Sequence, residues 1–249
     1  MTPAEVITAL ELPSAAMVNQ RVAKQMLADN AAATAADKRI ILDGVEEIQW
    51  VAALKPTNIG VSEFHDDTRT YLELAVLSLS VRLGAKTARL VELVHRAIPY
   101  PVLLIVNADD GLLLSLAHIR KAQNEANKTV LDGESVMAII PGGAIGQSLL
   151  QAMALTHQPR SNLFELYQGW TDTVMALDAA QLTGKFIPST SREHAAARHL
   201  ALQQCRELDV RIANLRSAAI KEKQLPRQIA MNLEIKTLIA QRAQYTFSL

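Results

Sequence analysis

The chain has 249 residues, enough for one substantial hydrophobic core and a smaller additional element. Its 25 basic and 25 acidic residues cancel, and its single cysteine, Cys205, excludes an internal disulfide and a zinc site built from cysteines. Aromatic residues make up only 4% of the chain, while alanine and leucine are abundant, which favours helix over sheet.

The sequence also bears on location. No apolar run approaches the roughly 18 residues that cross a bilayer. The N-terminus lacks the basic segment and the apolar run of a secretory signal. We therefore expect a cytoplasmic protein without membrane contact.

The first 37 residues are predicted to be helical. Pro3 suits a first helical turn, and the apolar residues between positions 15 and 27 fall near helical spacing after a break at Pro13. Asp37 is expected to cap a short helix. Residues 48–54 follow in a more extended pattern.

The middle of the chain predicts a sheet. Leucine and valine alternate with serine near the end of residues 71–81, which is typical of a strand with one apolar face. A helix is predicted over residues 86–97. The apolar run 102–106 and the residues 112–117 flank an Asp110-Gly111 turn and should form a hairpin. Residues 129–131 and 136–140 can add further strands.

Helical patterns return at residues 149–156 and 163–177, and residues 182–190 have the glycine, proline, serine and threonine content of a linker. The charge changes after this linker. Residues 191–249 hold ten basic and five acidic residues, whereas the rest holds 15 basic and 20 acidic residues, so the two parts carry +5 and −5. A polarised chain of this kind is typical of a protein that binds a partner.

The basic segment predicts a helical arm. An apolar seam at three- and four-residue steps, typical of a coiled coil, runs through Cys205, Leu208, Ile212, Leu215 and Ala219. Leu225-Pro226 interrupts it, and Met231, Ile235 and Leu238 continue in another phase. A helical hairpin is favoured over a kinked pair of helices that docks on a partner.

These patterns predict an α+β fold, with a small mixed sheet of four to six strands, packing helices and a C-terminal helical hairpin of coiled-coil type. The expected organisation is a globular domain over residues 1–182, a linker over 183–190 and an arm over 191–249.

Three patterns are candidate catalytic sites. The glycine-rich turn at residues 142–148 could hold a phosphate at a helix start, but Gln147 stands where a P-loop has lysine, so an ordinary turn is favoured. Glu73, Asp109 and Asp110 could bind the divalent metal of a nuclease, although no acid-x-lysine pair lies on a predicted strand. Glu234-x-Lys236 has that spacing but sits in the arm, as surface charge.

The six histidines lack the spacing of metal ligands, and His118, next to Arg120, is best interpreted as structural. No G-x-S-x-G nucleophile turn is present. The residues therefore predict no catalytic group, no metal ligand and no cofactor.

The arm offers two binding surfaces. Lys221, Lys223 and Arg227 cluster at the predicted bend and could contact nucleic-acid phosphates, with a solvated bend as an equal alternative. The second surface is the apolar seam, which could bind a partner through Leu208, Ile212, Leu215, Ile235 and Leu238.

Four short blocks carry a family resemblance. They are Leu12-Pro13 with Val18-Asn19-Gln20-Arg21-Val22 and Lys24; Ile48-Gln49-Trp50 with Leu54-Lys55-Pro56-Thr57-Asn58-Ile59; Ala97-Ile98-Pro99-Tyr100 with residues 115–121; and Lys221, Lys223, Gln224, Arg227 and Asn232. In this order they resemble the bacterial family known as domain of unknown function 4391. The resemblance implies genes that lie beside superfamily 2 helicases and site-specific DNA methyltransferases, as in restriction-like antiphage defence. It implies no catalytic residues.

The leading hypothesis is an accessory subunit of such a DNA-targeting defence or restriction-modification complex. It would bind a helicase or methyltransferase through the arm and touch DNA at the bend. The alternatives are a divergent metal-dependent nuclease and a structural homodimer held by the terminal helices.

Overall fold

The computed structural model describes residues 1–31, 34–123 and 129–249. They divide into two compact units, Met1–Leu177 and Asp178–Leu249. The division falls a few residues before the predicted linker. No helix in these described ranges is both long enough and apolar enough to cross a membrane.

The strands lie mostly in the first unit's central sheet. They are β1 (Met17–Arg21), β2 (Val45–Leu54), β3 (Phe64–His65), β4 (Thr70–Tyr71), β5 (Leu74–Val81), β6 (Val102–Ala108), β7 (Gly111–Ala117), β8 (Ile119–Lys121), β9 (Thr129–Leu131) and β10 (Val136–Ile139). Six of them form one mixed sheet in the order β1-β2-β5-β6-β7-β10, while β3 pairs with β4 and β8 pairs with β9. The predicted mixed sheet is confirmed.

The helices are α1 (Pro3–Ala9), α2 (Lys24–Ala31), α3 (Ala35–Gly44), α4 (Pro56–Ile59), α5 (Thr87–Ala97), α6 (Gly143–Ala152), α7 (Leu163–Thr183), α8 (Arg192–Lys221) and α9 (Leu225–Phe247). Thr2 and Glu5 form a capping box at the start of α1, in which the Glu5 carboxylate accepts the Thr2 N–H at 2.6 Å. The residues between α7 and α8 contain no helix or strand, as expected for a linker.

The sheet is covered on both faces. Successive side chains of a strand point to opposite faces, and Val76, Leu77 and Leu79 of β5 are all fully buried. Helices α2, α3 and α5 pack on one face. From α7, the Tyr167 hydroxyl donates to the carbonyl of Val102 in β6 at 2.7 Å and accepts the N–H of Ala117 in β7 at 2.8 Å.

The pairing of β5 with β6 is parallel, and α5 makes the crossover between them. The predicted hairpin of β6 and β7 is confirmed, because Ala108 pairs with Gly111 across the Asp109-Asp110 turn. The strands predicted at 129–131 and 136–140 are also present as β9 and β10.

The helical interpretation of residues 17–22 is wrong, although Ser14–Ala16 form a short 3-10 helix. Met17–Arg21 form strand β1, which pairs antiparallel with β2. Asn19 has a positive φ of 51° at an irregularity in this pairing, a conformation that asparagine tolerates better than most residues. The strand depends on a partner some 30 residues away, so local spacing did not reveal it. The next α-helix, α2, begins at Lys24.

The predicted capping role of Asp37 is also wrong. Thr34 caps α3, since its hydroxyl accepts the N–H of Asp37 at 3.1 Å. The Asp37 side chain is buried, and its two oxygens accept from Nε and Nη2 of Arg89 in α5, both at 2.9 Å. The bidentate pair joins α3 to α5.

The second unit contains the predicted helical hairpin. Ile212, Ile235 and Leu238 form a buried cluster, against which Leu208 and Leu215 pack. Two ion pairs cross between the helices, Arg242 with Asp209 and Arg211 with Glu234. Their positions show that α8 and α9 run antiparallel.

The glycine-rich start of α6 generates a first prediction. A Cβ on Gly146 would stand 2.1 Å from the Pro141 carbonyl oxygen, whereas one on Gly142 would meet nothing within 4 Å. We expect Gly146→Ala to lower the free energy of unfolding by about 1–3 kcal/mol, because the backbone must shift, and Gly142→Ala to leave it nearly unchanged. Urea unfolding of the two variants is the measurement. Equal effects would show that the close approach is not what requires glycine.

The hairpin seam generates a second prediction. Leu238 is 3% exposed and its neighbour Ile239 is 42% exposed. Leu238→Ala should destabilise the hairpin by about 2–4 kcal/mol because it leaves a cavity in the seam. Ile239→Ala should change little. Amide hydrogen exchange of α8 and α9 in the full chain would measure both, and similar protection in the two variants would contradict the packing role of Leu238.

Candidate functional site at the bend of the helical hairpin

The bend is built from residues 222–224, which join α8 to α9. The Glu222 carboxylate accepts the backbone N–H of Gln224 at 2.8 Å. The side-chain amide of Gln228 donates to the carbonyl of Ala219 at 3.1 Å, which links the first turn of α9 to the last turn of α8. The bend is therefore held by hydrogen bonds from both helices.

Four cations surround this bend. Lys221, Lys223 and Arg227, the predicted nucleic-acid ligands, are all exposed, and so is Arg216, about one and a half turns before the end of α8. None of the four has a carboxylate within ion-pair distance in the part of the chain that the structure describes. We call these four residues the basic bend.

Three other cations of the hairpin are paired with acidic residues. The guanidinium groups of Arg206, Arg211 and Arg242 bind carboxylates, and Arg206 Nη2 lies 2.6 Å from Asp178. Since these pairs occupy three carboxylates of the second unit, the four cations of the basic bend form a group whose positive charge is not paired with an acid of this unit.

The predicted partner-binding seam is occupied. Leu208, Ile212, Leu215, Ile235 and Leu238 pack against one another inside the hairpin. Binding of a partner by these five residues stays a prediction. It would require the two helices to separate.

The two buried histidines of the first unit have structural surroundings. His118 lies among aromatic rings, 5.1 Å from the ring centre of Tyr167 and 5.2 Å from that of Phe164, and its Nδ1 is 2.7 Å from the Tyr71 hydroxyl. Burial, reinforced by the charge of Arg69, lowers the pKa of His118 to about 4.

His95 of α5 is fully enclosed, and its Nε2 lies 2.9 Å from the Ser115 hydroxyl of β7. Burial alone lowers the pKa of His95 to about 4. Both histidines are therefore neutral at pH 7 and act in packing and hydrogen bonding.

The acids considered for a nuclease do not converge. Glu73 precedes β5 and binds Lys55 Nζ at 3.1 Å, while Asp109 and Asp110 follow β6. Because β5 and β6 are parallel, Glu73 lies at the opposite end of the sheet from the two aspartates, about 30 Å away. Across the described residues, moreover, no group of three or more His, Cys, Asp and Glu side chains is placed to hold a metal ion.

A cavity of about 900 Å³ lies beside α5, β9 and β10. Glu92, Arg96 and Glu134 contribute charges of both signs to its lining. Its wall reaches Ala31 and Thr129, which adjoin residues 32–33 and 124–128 outside the described set. We place no site there.

Comparison with known families bears on the whole chain. A family model described as "Domain of unknown function (DUF4391)" matches residues 10–241. The chain belongs to this family. The resemblance in the sequence blocks is thus confirmed, and the match covers most of both units. No curated protein and no solved structure matches the chain.

This member of the family contains a buried arginine that sequence patterns did not reveal. Arg198 of α8 is 1% exposed, and its guanidinium donates to the Ser189 hydroxyl at 2.9 Å and to the backbone oxygen of Leu249 at 3.5 Å. It holds the segment before α8 and the end of α9 to one point. In the sequence it is one basic residue of a basic segment, and no local signal distinguishes it.

The exposed apolar residues of α9 were also missed. Leu225, Ile229 and Leu233 recur at four-residue steps, and each is more than half exposed. The spacing was visible in the sequence, but the face of the helix that packs on α8 could be assigned only from the structure.

The lowered histidine pKa values generate a third prediction. Unfolding returns the pKa of His95 and of His118 to about 6.5. The unfolded state therefore binds more protons than the folded state between pH 6.5 and pH 4. The two histidines leave the free energy of unfolding at its full value above pH 6.5. Below that, the free energy of unfolding falls as the pH drops toward 4, by up to about 3 kcal/mol for each histidine. Urea unfolding at several pH values should show this slope.

The matched variants are His95→Gln and His118→Gln, each of which should flatten the slope whatever its effect at pH 7. His65→Gln is the control, because His65 is half exposed and paired with Glu63. An unchanged slope in the double variant would contradict the assignment.

Proposed function

We propose that this chain is an accessory subunit of a DNA-acting complex, which binds a partner protein with its helical hairpin and DNA phosphates with the basic bend. One observation carries the proposal. Arg216, Lys221, Lys223 and Arg227 stand exposed on a hydrogen-bonded bend without carboxylate partners, while Arg206, Arg211 and Arg242 are paired. Cations left in this state suit an anionic ligand.

The chemistry of the bend favours contact with the phosphate backbone over recognition of bases. Residues 216–233 contain no aromatic side chain on which an unpaired base could stack. Lysine and arginine contacts to phosphate release counterions, so such binding is sensitive to salt and indifferent to sequence.

The partner class rests on the family's implied gene neighbourhood. A superfamily 2 helicase or a DNA methyltransferase of a restriction-like defence system already acts on DNA, and an accessory subunit with a basic bend would add phosphate contacts to it. The charge distribution is compatible with this role, since residues 178–249 hold 11 basic and six acidic residues.

Charge reversal at the bend is the fourth prediction. The full chain should bind a labelled 20-base-pair duplex with an affinity that falls as the salt concentration rises. In a plot of log affinity against log salt concentration, the slope should be about one per phosphate contact. Each of Lys221→Glu, Lys223→Glu and Arg227→Glu should lower this slope by about one, and the triple variant should bind at least tenfold more weakly. Fluorescence anisotropy at several salt concentrations measures both quantities.

Lys185→Glu provides the matched control, because Lys185 is an exposed lysine of the same unit outside the bend. If the triple variant keeps the affinity and the salt slope of the unmodified chain, the bend does not contact DNA. The adaptor role has a separate test, in which light scattering measures complex formation with a superfamily 2 helicase and a DNA methyltransferase of the kind that the family resemblance implies. Failure to form either complex would remove the adaptor role.

A further inference from the structure

Helix α9 has a second apolar face that takes no part in its packing against α8. Leu225 is 66% exposed, Ile229 51%, Leu233 62% and Phe247 95%, and the alanines Ala240 and Ala243 are exposed as well. With Lys236, these residues recur at steps of three and four along the whole helix. We call this set of seven residues the outer face.

The outer face lies away from the hairpin seam. At 100° per residue its seven members fall within an arc of about 80°, and the seam residues Ile235 and Leu238 are centred about 150° from the middle of that arc. A helix with two apolar faces on nearly opposite sides can pack on one helix with each. In α9 one of these positions is filled by α8, and the other is open.

The spacing indicates what kind of surface fits the open position. Steps of three and four residues form the row of knobs and holes that a second helix fills. The larger side chains lie toward the start of α9, and Ala240 and Ala243 allow close approach toward its end. The row spans 23 residues, about 34 Å, which matches a helix of similar length.

The charge on the outer face indicates which helix. Lys236 stands in the middle of the row and has no carboxylate partner in the part of the chain that the structure describes. The single acid of α9, Glu234, lies on another side and binds Arg211. A helix that covers the outer face therefore has to bring a carboxylate to Lys236.

The same residue disfavours a second copy of this chain. Lys236 is the central residue of α9, so two outer faces paired in register would place Lys236 opposite its own copy in the parallel and the antiparallel arrangement alike. Like charges in an apolar row repel and cannot be solvated. A different protein meets the requirement without this conflict.

We propose that the outer face of α9 binds an amphipathic helix of a different protein, which brings an apolar row and a glutamate or aspartate opposite Lys236. The proposal rests on the proposed adaptor function and names its docking surface and the chemistry of its partner. The basic bend takes no part in this contact.

The fifth prediction tests the surface with two synthetic helical peptides of about three heptads. Both carry leucine at the row positions, and one has glutamate and the other lysine at the position opposite Lys236. The labelled peptides are titrated with the full chain and followed by fluorescence anisotropy. The glutamate peptide should bind at least tenfold more tightly than the lysine peptide.

Variants of the chain make this result specific. Ile229→Asp should weaken binding of the glutamate peptide at least tenfold, because it places a charge in the apolar row, and Lys236→Glu should invert the preference between the peptides. Gln241→Asp is the control, since it adds the same charge at an exposed position of α9 outside the row. Ile229 and Lys236 are exposed, so these changes leave the hairpin seam intact.

Three outcomes would overturn the proposal. One is that neither peptide binds, and another is that Lys236→Glu leaves the preference unchanged. The third is that light scattering shows a dimer of the full chain that Ile229→Asp dissociates, which would make the occupant a second copy.

Failure of the proposed adaptor function can be distinguished from failure of the docking surface. Reversal of Lys221, Lys223 and Arg227 should leave peptide binding unchanged. If the glutamate peptide binds as expected and neither the helicase nor the methyltransferase forms a complex, the docking surface stands and the assigned partner class is wrong.

Discussion

The parallel pairing of β5 with β6 is the constraint on which the first unit depends. Parallel neighbours cannot be joined by a tight turn, so the chain crosses the sheet through α5. That helix must then be buried against the sheet, as Leu90, Leu93 and Val94 show. Both central strands lie inside the protein on each face, and they consist almost entirely of valine, leucine, isoleucine and alanine.

The polar groups around α5 follow from this placement. A helix enclosed by other elements can keep a polar side chain only if a partner is built for it. His95 has Ser115, and Asp37, which is brought by α3, has Arg89. These contacts explain why buried histidine and aspartate occur here, since each completes the hydrogen bonding of a packed interface.

Sequence periodicity predicted the elements that are stabilised by their own pattern. The strand β5, the β6–β7 hairpin and the helix α5 were found because alternation, a turn signal and a helical apolar face each lie within a few residues of one another. Strand β1 was not found, because Met17 and Val18 fit helical spacing equally well and its stability comes from pairing with β2. Asp37 was misassigned for a related reason, since its partner Arg89 lies 52 residues away.

The arm shows the same division. The seam and the hairpin were predictable, because Leu208, Ile212 and Leu215 repeat at helical steps before Pro226, and Ile235 and Leu238 are one such step apart after it. The sequence could not show whether that seam would face a partner or the neighbouring helix. Nor could it distinguish Arg242, whose charge is paired with Asp209, from Arg227, whose charge is available. Charge availability depends on which residues meet across the hairpin, and that is a property of the fold.

Because the seam is buried between α8 and α9, a partner of the closed hairpin has to bind its outer surface. A partner that bound Ile212, Ile235 and Leu238 would first have to separate α8 from α9, which bury these residues between them. The row from Leu225 to Phe247 is already exposed, so a partner can bind it without any such separation. The family match spans residues 10–241, which includes α8 and the first three quarters of α9. The region that this chain shares with its family therefore includes most of the hairpin as well as the sheet.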